Sequence, residues 1–232
     1  MNKSYASIIE NKIQQIPCNE LIISSELYKE FNNKVSEQAF YKTLERLSKS
    51  ENLIHLTKGV YYRPKTTRFG NIPITEKEIA SHYIRNQKGL LIGYQMYNEK
   101  GITTQVGKKV EVLSTILEED VKNIHNVSVN RIEVELDEQT IPVIETLEIL
   151  QEYNKIEDIN KRALIMYMEK FSKIYSEQAI KRVLSKRKYK KSTIAFMQAF
   201  LKYFQIENSL EDYLSPLSTY KIPNVEVLYE FA

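Results

Sequence analysis

Apolar residues recur at helical spacing over residues 5–16, and the pattern predicts a helix that ends at the following proline. The next apolar run, at 21–23, is short and predicts an edge strand. Ser24 and Ser25 then offer hydroxyl groups that can cap a brief helix continuing through Phe31.

A longer amphipathic helix is predicted after a turn at 32–34. Ser36 is the expected N-cap, and Val35 and Phe40 are spaced to form a hydrophobic staple around it. Residues at i, i+4 and i+7 share the apolar face: Phe40, Leu44 and Leu47. The opposite face is polar, with a tyrosine and an arginine at its flanks: Gln38, Lys42, Glu45 and Lys49, then Tyr41 and Arg46.

Two short runs of β-branched and aromatic residues, at 54–56 and 60–62, predict an antiparallel hairpin. Its tip is expected at Thr57, Lys58 and Gly59, because glycine accepts a positive φ at little cost. The order helix, strand, helix, helix, hairpin is typical of a winged helix-turn-helix. We predict this domain over residues 1–68.

The rest of the chain, 69–232, is predicted to form a second domain. Two prolines and a glycine mark 64–75 as a linker, and Thr75 is expected to cap the next helix. An α/β part is predicted over 69–138. It contains a short helix at 94–99 and four strands: 90–92, 110–113, 127–129 and 131–136.

The remaining part, 139–232, is predicted to be mainly helical, with a final strand in VEVLYEF. The candidate helices are 140–152, 157–173, 176–186 and 192–205. The predicted fold class is therefore α+β and helix-rich, with an N-terminal winged domain and a mixed α/β and helical C-terminal domain.

Composition narrows the class of protein. The 232 residues are 42% hydrophobic and 27% charged, with a net charge of +3, as in ordinary globular proteins. Residues 1–68 hold 11 Lys and Arg against 7 Asp and Glu, while the remainder holds 22 against 23. This basic excess favours an anionic partner such as nucleic acid. A single cysteine, no long apolar run and no signal-like N-terminus predict a cytoplasmic protein without membrane contact.

No arrangement of side chains in the sequence predicts catalysis. The three histidines share no metal-ligand spacing, and no glycine-rich phosphate loop or nucleophile elbow is present. The closest approach to a nuclease cluster is an acidic group that a solvated strand face explains: Asp120, Glu133 and Glu135. We therefore expect no enzymatic activity, no cofactor and no metal.

The predicted winged domain indicates how double-stranded DNA would be bound. The third helix would enter the major groove and reach base edges, while basic residues of the hairpin would contact phosphates. The predicted DNA-binding residues are Gln38, Tyr41, Lys42, Arg46, Lys49, Lys58, Arg63 and Lys65. The alternatives are a solvated helix beside a hairpin, or a winged domain that makes only protein contacts.

A second basic region lies at 181–191, where KRVLSKRKYKK carries seven bases and no acid. One interpretation is a solvated helix end. The other is a surface for nucleic acid or for an acidic partner protein, with Tyr189 placed to stack on a base. The residues of this candidate surface are Lys181, Arg182, Lys186, Arg187, Lys188, Lys190 and Lys191.

Two motifs together resemble the AbiE-type antitoxins of abortive-infection systems. The string LTKGVYYRP closes the predicted hairpin, and GYQMYNEKGITTQ follows it in the next domain. The matching residues are Gly59, Val60, Tyr61 and Pro64, then Asn98, Gly101, Ile102, Thr103, Thr104 and Gln105. The resemblance covers residues 5–115, and departs from the family at Met96 and Tyr97, where relatives carry small or aliphatic residues.

The resemblance implies an antitoxin of a type IV toxin–antitoxin system that acts in phage defence. Its winged domain would repress its own operon by binding inverted repeats in promoter DNA. Its C-terminal domain would counteract a nucleotidyltransferase-like toxin, in some systems without a stable complex. The GITTQ stretch is expected to be structural, with its hydroxyl and amide groups satisfying backbone groups.

Two alternatives stay open at this point. One is a winged-helix transcriptional regulator whose larger domain senses a ligand or dimerises. The other is an enzyme, such as a nuclease, that carries a DNA-targeting module.

Overall fold

The computed structural model describes residues 4–31 and 34–230, and it is a mixture of helices and small sheets, as the α+β prediction requires. The chain divides into two compact units, Met1–His82 with Asn123–Val127, and Tyr83–Lys122 with Ser128–Ala232. The first unit extends past residue 68, where we predict a domain boundary, and takes in a second hairpin and most of a fourth helix.

The first unit begins with three helices and a three-stranded antiparallel sheet. In chain order these are α1 (Tyr5–Gln15), β1 (Leu21–Ile23), α2 (Ser24–Lys29), α3 (Glu37–Lys49), β2 (Ile54–Thr57) and β3 (Val60–Tyr62). Strand β3 lies between β1 and β2, so β1 is an edge strand as predicted. The helices bury one shared apolar cluster, which includes Ile9, Ile13, Phe40, Leu44 and Leu53.

The ends of α2 and α3 differ in how they are capped. Ser36 accepts a hydrogen bond from the Ala39 N–H (3.3 Å), which confirms the predicted N-cap of α3. The predicted serine cap of α2 is wrong, because Ile23 takes the N-cap position without a side-chain bond. Ser24 is buried instead, and its N–H donates to the Gly59 carbonyl (2.8 Å). The predicted turn at 32–34 includes two residues outside the described part of the chain.

The predicted linker at 64–75 is wrong, because most of it folds as an antiparallel hairpin of β4 (Lys65–Thr67) and β5 (Gly70–Ile72). The Thr66 hydroxyl donates across the pair to Asn71 Oδ1 (2.8 Å). Helix α4 (Glu76–Ile84) follows and begins with the predicted cap, in which the Glu78 N–H donates to Thr75 Oγ1 (3.2 Å).

A four-stranded sheet with the order β6-β7-β9-β8 and one short helix come next. Their bounds are β6 (Gly89–Ile92), α5 (Gly93–Glu99), β7 (Val110–Ser114), β8 (Val121–Ile124) and β9 (Val127–Arg131). Strand β8 is not predicted by the sequence. The predicted strand at 131–136 is wrong beyond Arg131, although the expected alternation of burial holds, with Ile132, Val134 and Leu136 buried.

Helices form the rest of the second unit and enclose its larger apolar core. They are α6 (Thr140–Glu152), α7 (Lys161–Ile174), α8 (Glu177–Lys186), α9 (Lys191–Tyr203) and α10 (Val225–Tyr229), with short 3₁₀ turns at Arg85–Gln87, Tyr153–Lys155 and Leu210–Tyr213. The four long helices are close to their predicted bounds. The predicted last strand is wrong: Asn224 caps the helix α10 there by accepting from the Glu226 N–H (2.9 Å).

Candidate nucleic-acid interface

The exposed face of α3 carries five of the residues predicted to bind DNA. Phe40 and Leu44 hold the helix against the core, and Thr43 is buried beside them with its hydroxyl donated to the Ala39 carbonyl (2.8 Å). The polar side chains point away from this core, and the exposed residues are Gln38, Tyr41, Lys42, Glu45, Arg46 and Lys49.

Ion pairs divide the basic residues of this face into two groups. Lys49 pairs with Glu45 one turn earlier (2.7 Å), and the bond to Lys49 lowers the pKa of the Glu45 carboxyl. Arg46 pairs with Glu10 of α1. Within the described part of the chain, Lys42 forms no ion pair. Lys42 is therefore the base on α3 that is most available to a ligand.

The hairpin of β2 and β3 ends in a tight turn beside α2. Thr57 pairs with Val60, so the turn is formed by Lys58 and Gly59 alone. Gly59 has φ of 73°, and a Cβ at that position would lie 3.3 Å from Ser24 Oγ. Both the backbone conformation and the space therefore favour glycine there. Lys58 is exposed at the tip, as the sequence predicts.

Arg63 and Lys65 lie at the junction between the two hairpins. Lys65 is exposed on β4, and its N–H donates to Asn19 Oδ1 (3.4 Å). Arg63 is half-buried, and its Nε has no hydrogen-bond partner among the described residues. It lines a cavity of about 360 Å³ together with Glu10, Glu51 and other residues from the ends of α1 and α3. Arg63 is thus set back from the hairpin tip where a phosphate contact is predicted.

The turn of the second hairpin holds two exposed residues that are absent from the predicted set. Arg68 and Phe69 connect β4 to β5, and Phe69 is 87% exposed. They complete a segment, residues 52–75, that has no acid and four bases: Lys58, Arg63, Lys65 and Arg68. A charge count over this segment is the sequence signal that would have found Arg68, whereas no sequence signal marks Phe69.

The basic run at 181–191 is partly used inside its own unit. Arg182 pairs with Asp137 (2.7 Å) and Lys181 with Glu177 (3.2 Å). Lys191 donates to the Tyr213 carbonyl. The exposed lysines of this run whose side chains form neither an ion pair nor a hydrogen bond with a described residue are Lys186, Lys188 and Lys190.

Arg187 and Tyr189 belong to a buried cluster and not to an open surface. Arg187 Nη2 lies 2.8 Å from Glu148 Oε1, and the Tyr189 hydroxyl donates to the same oxygen (2.9 Å). Burial raises the pKa of the Tyr189 hydroxyl, so it stays a donor at neutral pH. The interpretation of Tyr189 as a stacking residue is wrong, because the side chain is only 9% exposed.

The second motif of the resemblance, GYQMYNEKGITTQ, ties α5 to the segment before α7. Gly101 has φ of 70° and ends α5. The Thr103 hydroxyl donates to the Glu157 carbonyl (2.7 Å), and Gln105 Nε2 donates to Asp158 Oδ2 (2.6 Å). Asn98 Nδ2 donates to the Tyr94 carbonyl (3.1 Å) and to the Gln105 carbonyl. These contacts give the motif a structural role, with two differences: the Gln105 side chain satisfies a carboxylate and not a backbone group, and the exposed Thr104 hydroxyl makes no hydrogen bond to a described residue.

The described residues show neither a metal site nor a membrane-spanning helix. Among the described residues no cluster of three or more His, Cys, Asp or Glu side chains has the arrangement to hold a metal ion. His55 and His125 are exposed and His82 is buried. Across residues 4–31 and 34–230, no helix combines the length and apolar character needed to cross a membrane.

A protein family described as a family of unknown function (DUF6088) matches the chain over residues 8–127. The matched region includes both hairpins and the GYQMYNEKGITTQ motif, and it stops before α6. No curated protein matches the chain.

Proposed function

This chain belongs to the DUF6088 family, and we propose that its N-terminal elements are a winged helix-turn-helix that binds double-stranded DNA. The order of α1, β1, α2, α3 and a β2–β3 hairpin supports this assignment. One observation carries the proposal: the exposed polar face of α3 is followed directly by the acid-free segment at 52–75 with its four bases. Such a surface complements a phosphate backbone.

In this proposal α3 lies in the major groove. Gln38 and Lys42 reach base edges, because amide and ammonium groups match the donors and acceptors of adenine and guanine there. Lys58 and Lys65 contact phosphates and fix the register of the domain on the duplex. Arg46 acts at the border of the face, since Glu10 already occupies its guanidinium.

We further propose that the whole chain is a non-enzymatic antitoxin of a type IV toxin–antitoxin system. It represses its own operon through inverted repeats and counteracts a nucleotidyltransferase-like toxin. The support is the resemblance of two motifs, both of which lie inside the family match. Lys186, Lys188 and Lys190 are the exposed residues available to act on the toxin side.

A transcriptional regulator with a ligand-sensing domain is the second candidate. A cavity of about 460 Å³ in the second unit favours it, because small-molecule sites are of this size and mostly apolar. Its wall includes Met166, Phe171 and Ile174, with Lys100 paired to Glu145 (2.8 Å) at the edge.

Two experiments test the proposal. Mobility shifts with the DNA upstream of its own gene should reveal a specific complex whose affinity falls with salt. Co-expression with the adjacent gene, if that gene is toxic alone, should restore growth. A protein that binds its promoter but protects against no neighbouring product would favour the ligand-sensing regulator. Absence of DNA binding would remove the winged-domain proposal.

A further inference from the structure

We propose that the second hairpin, β4–β5, is a minor-groove wedge, in which Phe69 enters a base step and Arg68 enters the groove beside it. The inference rests on the proposed DNA binding and deepens it, because it assigns a second contact element and a deformation of the DNA. The sequence predicts only a linker in this region, so the residues carry no assigned role.

The short β4–β5 hairpin exposes the side chains of Arg68 and Phe69 at its turn. Thr67 pairs with Gly70 across the hairpin, which leaves Arg68 and Phe69 as the entire connection. The Thr67 hydroxyl accepts from the Phe69 N–H (3.2 Å) and donates to the Gly70 carbonyl (3.0 Å). Gly70 takes φ of 109°, a conformation that a side chain would strain. The two hydrogen bonds of Thr67 therefore restrain the turn while the Phe69 ring is exposed.

The exposed Phe69 ring offers apolar surface whose burial against a partner would be favourable. The guanidinium of Arg68 lies over the ring, 4.7 Å from its centroid. A protein partner with an apolar pocket would cover the ring equally well, but the four bases and no acid of residues 52–75 favour a polyanion. Minor-groove proteins combine these two residue types, an arginine in the groove and an apolar wedge between base pairs.

The base of the hairpin adjoins the end of α3, within the first unit. Thr66 of β4 lines the same cavity as Leu47 of α3 and Asn52. Asn19 holds the base in place, since it accepts from the Lys65 N–H (3.4 Å) and donates to Glu78 Oε1 (3.3 Å). The base of the hairpin therefore lies beside the C-terminal end of α3, the helix proposed to contact the DNA.

The test uses the full-length chain and a short duplex that it selects from a random pool, labelled at both ends for energy transfer. The unaltered protein should bend this DNA, by roughly 20–90° as other wedge proteins do. Phe69→Ala should weaken binding about tenfold, the scale of one lost aromatic contact to a base, and remove the bend. Phe69→Leu should keep the bend, because leucine also serves as a wedge.

A matched control is Leu217→Ala, which truncates a side chain that is 99% exposed in the second unit and should change nothing. Normal affinity and bending by Phe69→Ala would overturn the wedge and leave the proposed function intact, provided that Lys42→Ala still weakens binding. If Phe69→Ala lost binding to single-stranded DNA only, and Phe69→Leu did not restore it, the wedge would be overturned in favour of base stacking by Phe69. Failure of the unaltered protein to bind any duplex would overturn both proposals together.

Discussion

The guanidinium of Arg187 donates to Glu148 Oε1 through two nitrogens, Nε at 3.1 Å and Nη2 at 2.8 Å. The carboxylate is nearly buried, with 8% of its side chain exposed. The most basic stretch of the sequence therefore neutralises an internal charge of its own unit.

Replacement of this arginine should destabilise the protein. Arg187→Gln leaves the Glu148 carboxylate buried without its cation, and we expect a loss of about 2–3 kcal/mol in the free energy of unfolding. Lys186→Gln, an exposed neighbour, should change it by less than about 0.5 kcal/mol. Urea unfolding followed by circular dichroism measures both, and equal effects would contradict a structural role for Arg187.

Charge reversal at Lys186, Lys188 and Lys190 tests the candidate surface at 181–191 without removing the ion pair between Arg187 and Glu148. If that surface counteracts a toxin, Lys186, Lys188 and Lys190 changed together to Glu should abolish rescue in co-expression. The unfolding midpoint should stay unchanged, because none of the three is buried. Lys108, Arg162 and Lys221, also exposed, provide the control reversal. Full rescue by the first variant would leave those lysines as a solvated helix end.

Base contacts from α3 predict a loss of both affinity and selectivity. Gln38→Ala and Lys42→Ala should each cost about 1–3 kcal/mol on the promoter site and relax the preference for one base pair. Arg46→Ala should cost less than Lys42→Ala, since Glu10 already holds Arg46. Mobility shifts on wild-type and single-base-changed duplexes decide the matter. If Gln38→Ala and Lys42→Ala both kept the base-pair preference of the wild type, α3 would not be the helix that reads the DNA sequence.

The lysines of the two hairpins should behave differently from those of α3. Lys58→Ala and Lys65→Ala are expected to weaken binding to all duplexes alike, and each should reduce the slope of log affinity against log salt by about 1. Lys221→Ala is the matched control, because Lys221 is also exposed but lies in the other unit. A constant slope would mean that the hairpins do not touch phosphate.

Acid stability should depend on Asp137. Desolvation raises the pKa of this carboxyl, but hydrogen bonds from Arg182, Thr140 and Gln139 outweigh it and lower the pKa from 3.8 to about 2. Because the folded-state pKa is depressed, the stabilisation is complete above pH ~4 and is lost as the pH falls toward ~2.

The size of this effect is modest, since the Asp137 side chain is 36% exposed and water screens the pair. We expect about 1 kcal/mol to disappear across that range. Asp137→Asn should be less stable at neutral pH and should show a flatter stability curve between about pH 5 and about pH 2.5, a range that covers the upper part of the transition. Asp212→Asn, at an exposed position, is the control. Parallel curves for the wild type and Asp137→Asn would contradict the assignment.

Local patterns explain which elements the sequence predicts. The helices α1, α3, α6 and α9 show apolar periodicity over at least three turns, so their positions follow from the sequence. Strands β4 and β5 are three residues each and mostly polar, and no alternation distinguishes them from a loop. Helix α10 is predicted as a strand because Glu226 separates Val225 from Val227 in a short apolar run, while the Asn224 cap favours a helix.

In the candidate site, too, local sequence patterns predict exposed faces but not contacts between residues far apart in the sequence. The exposed and buried faces of α3 follow from periodicity alone. The pairing of Arg46 with Glu10 and of Arg187 with Glu148 joins residues 36 and 39 positions apart, respectively, and nothing local in the sequence marks it. A count of charged residues along the sequence therefore overstates how many of them are available to bind a partner.

The first unit includes five residues that lie well after its other residues in the sequence and are therefore synthesised last. Asn123–Val127 belong to it, and Asn126 Nδ2 donates to Glu76 Oε1 (3.3 Å). During synthesis the N-terminal unit therefore lacks part of its structure until residue 127 has left the exit tunnel, by which time the first strands of the second unit already exist. A truncated transcript or a protease cut between residues 82 and 123 would yield an incomplete first unit. Expression of the first unit alone should begin at Met1 and end no earlier than Val127.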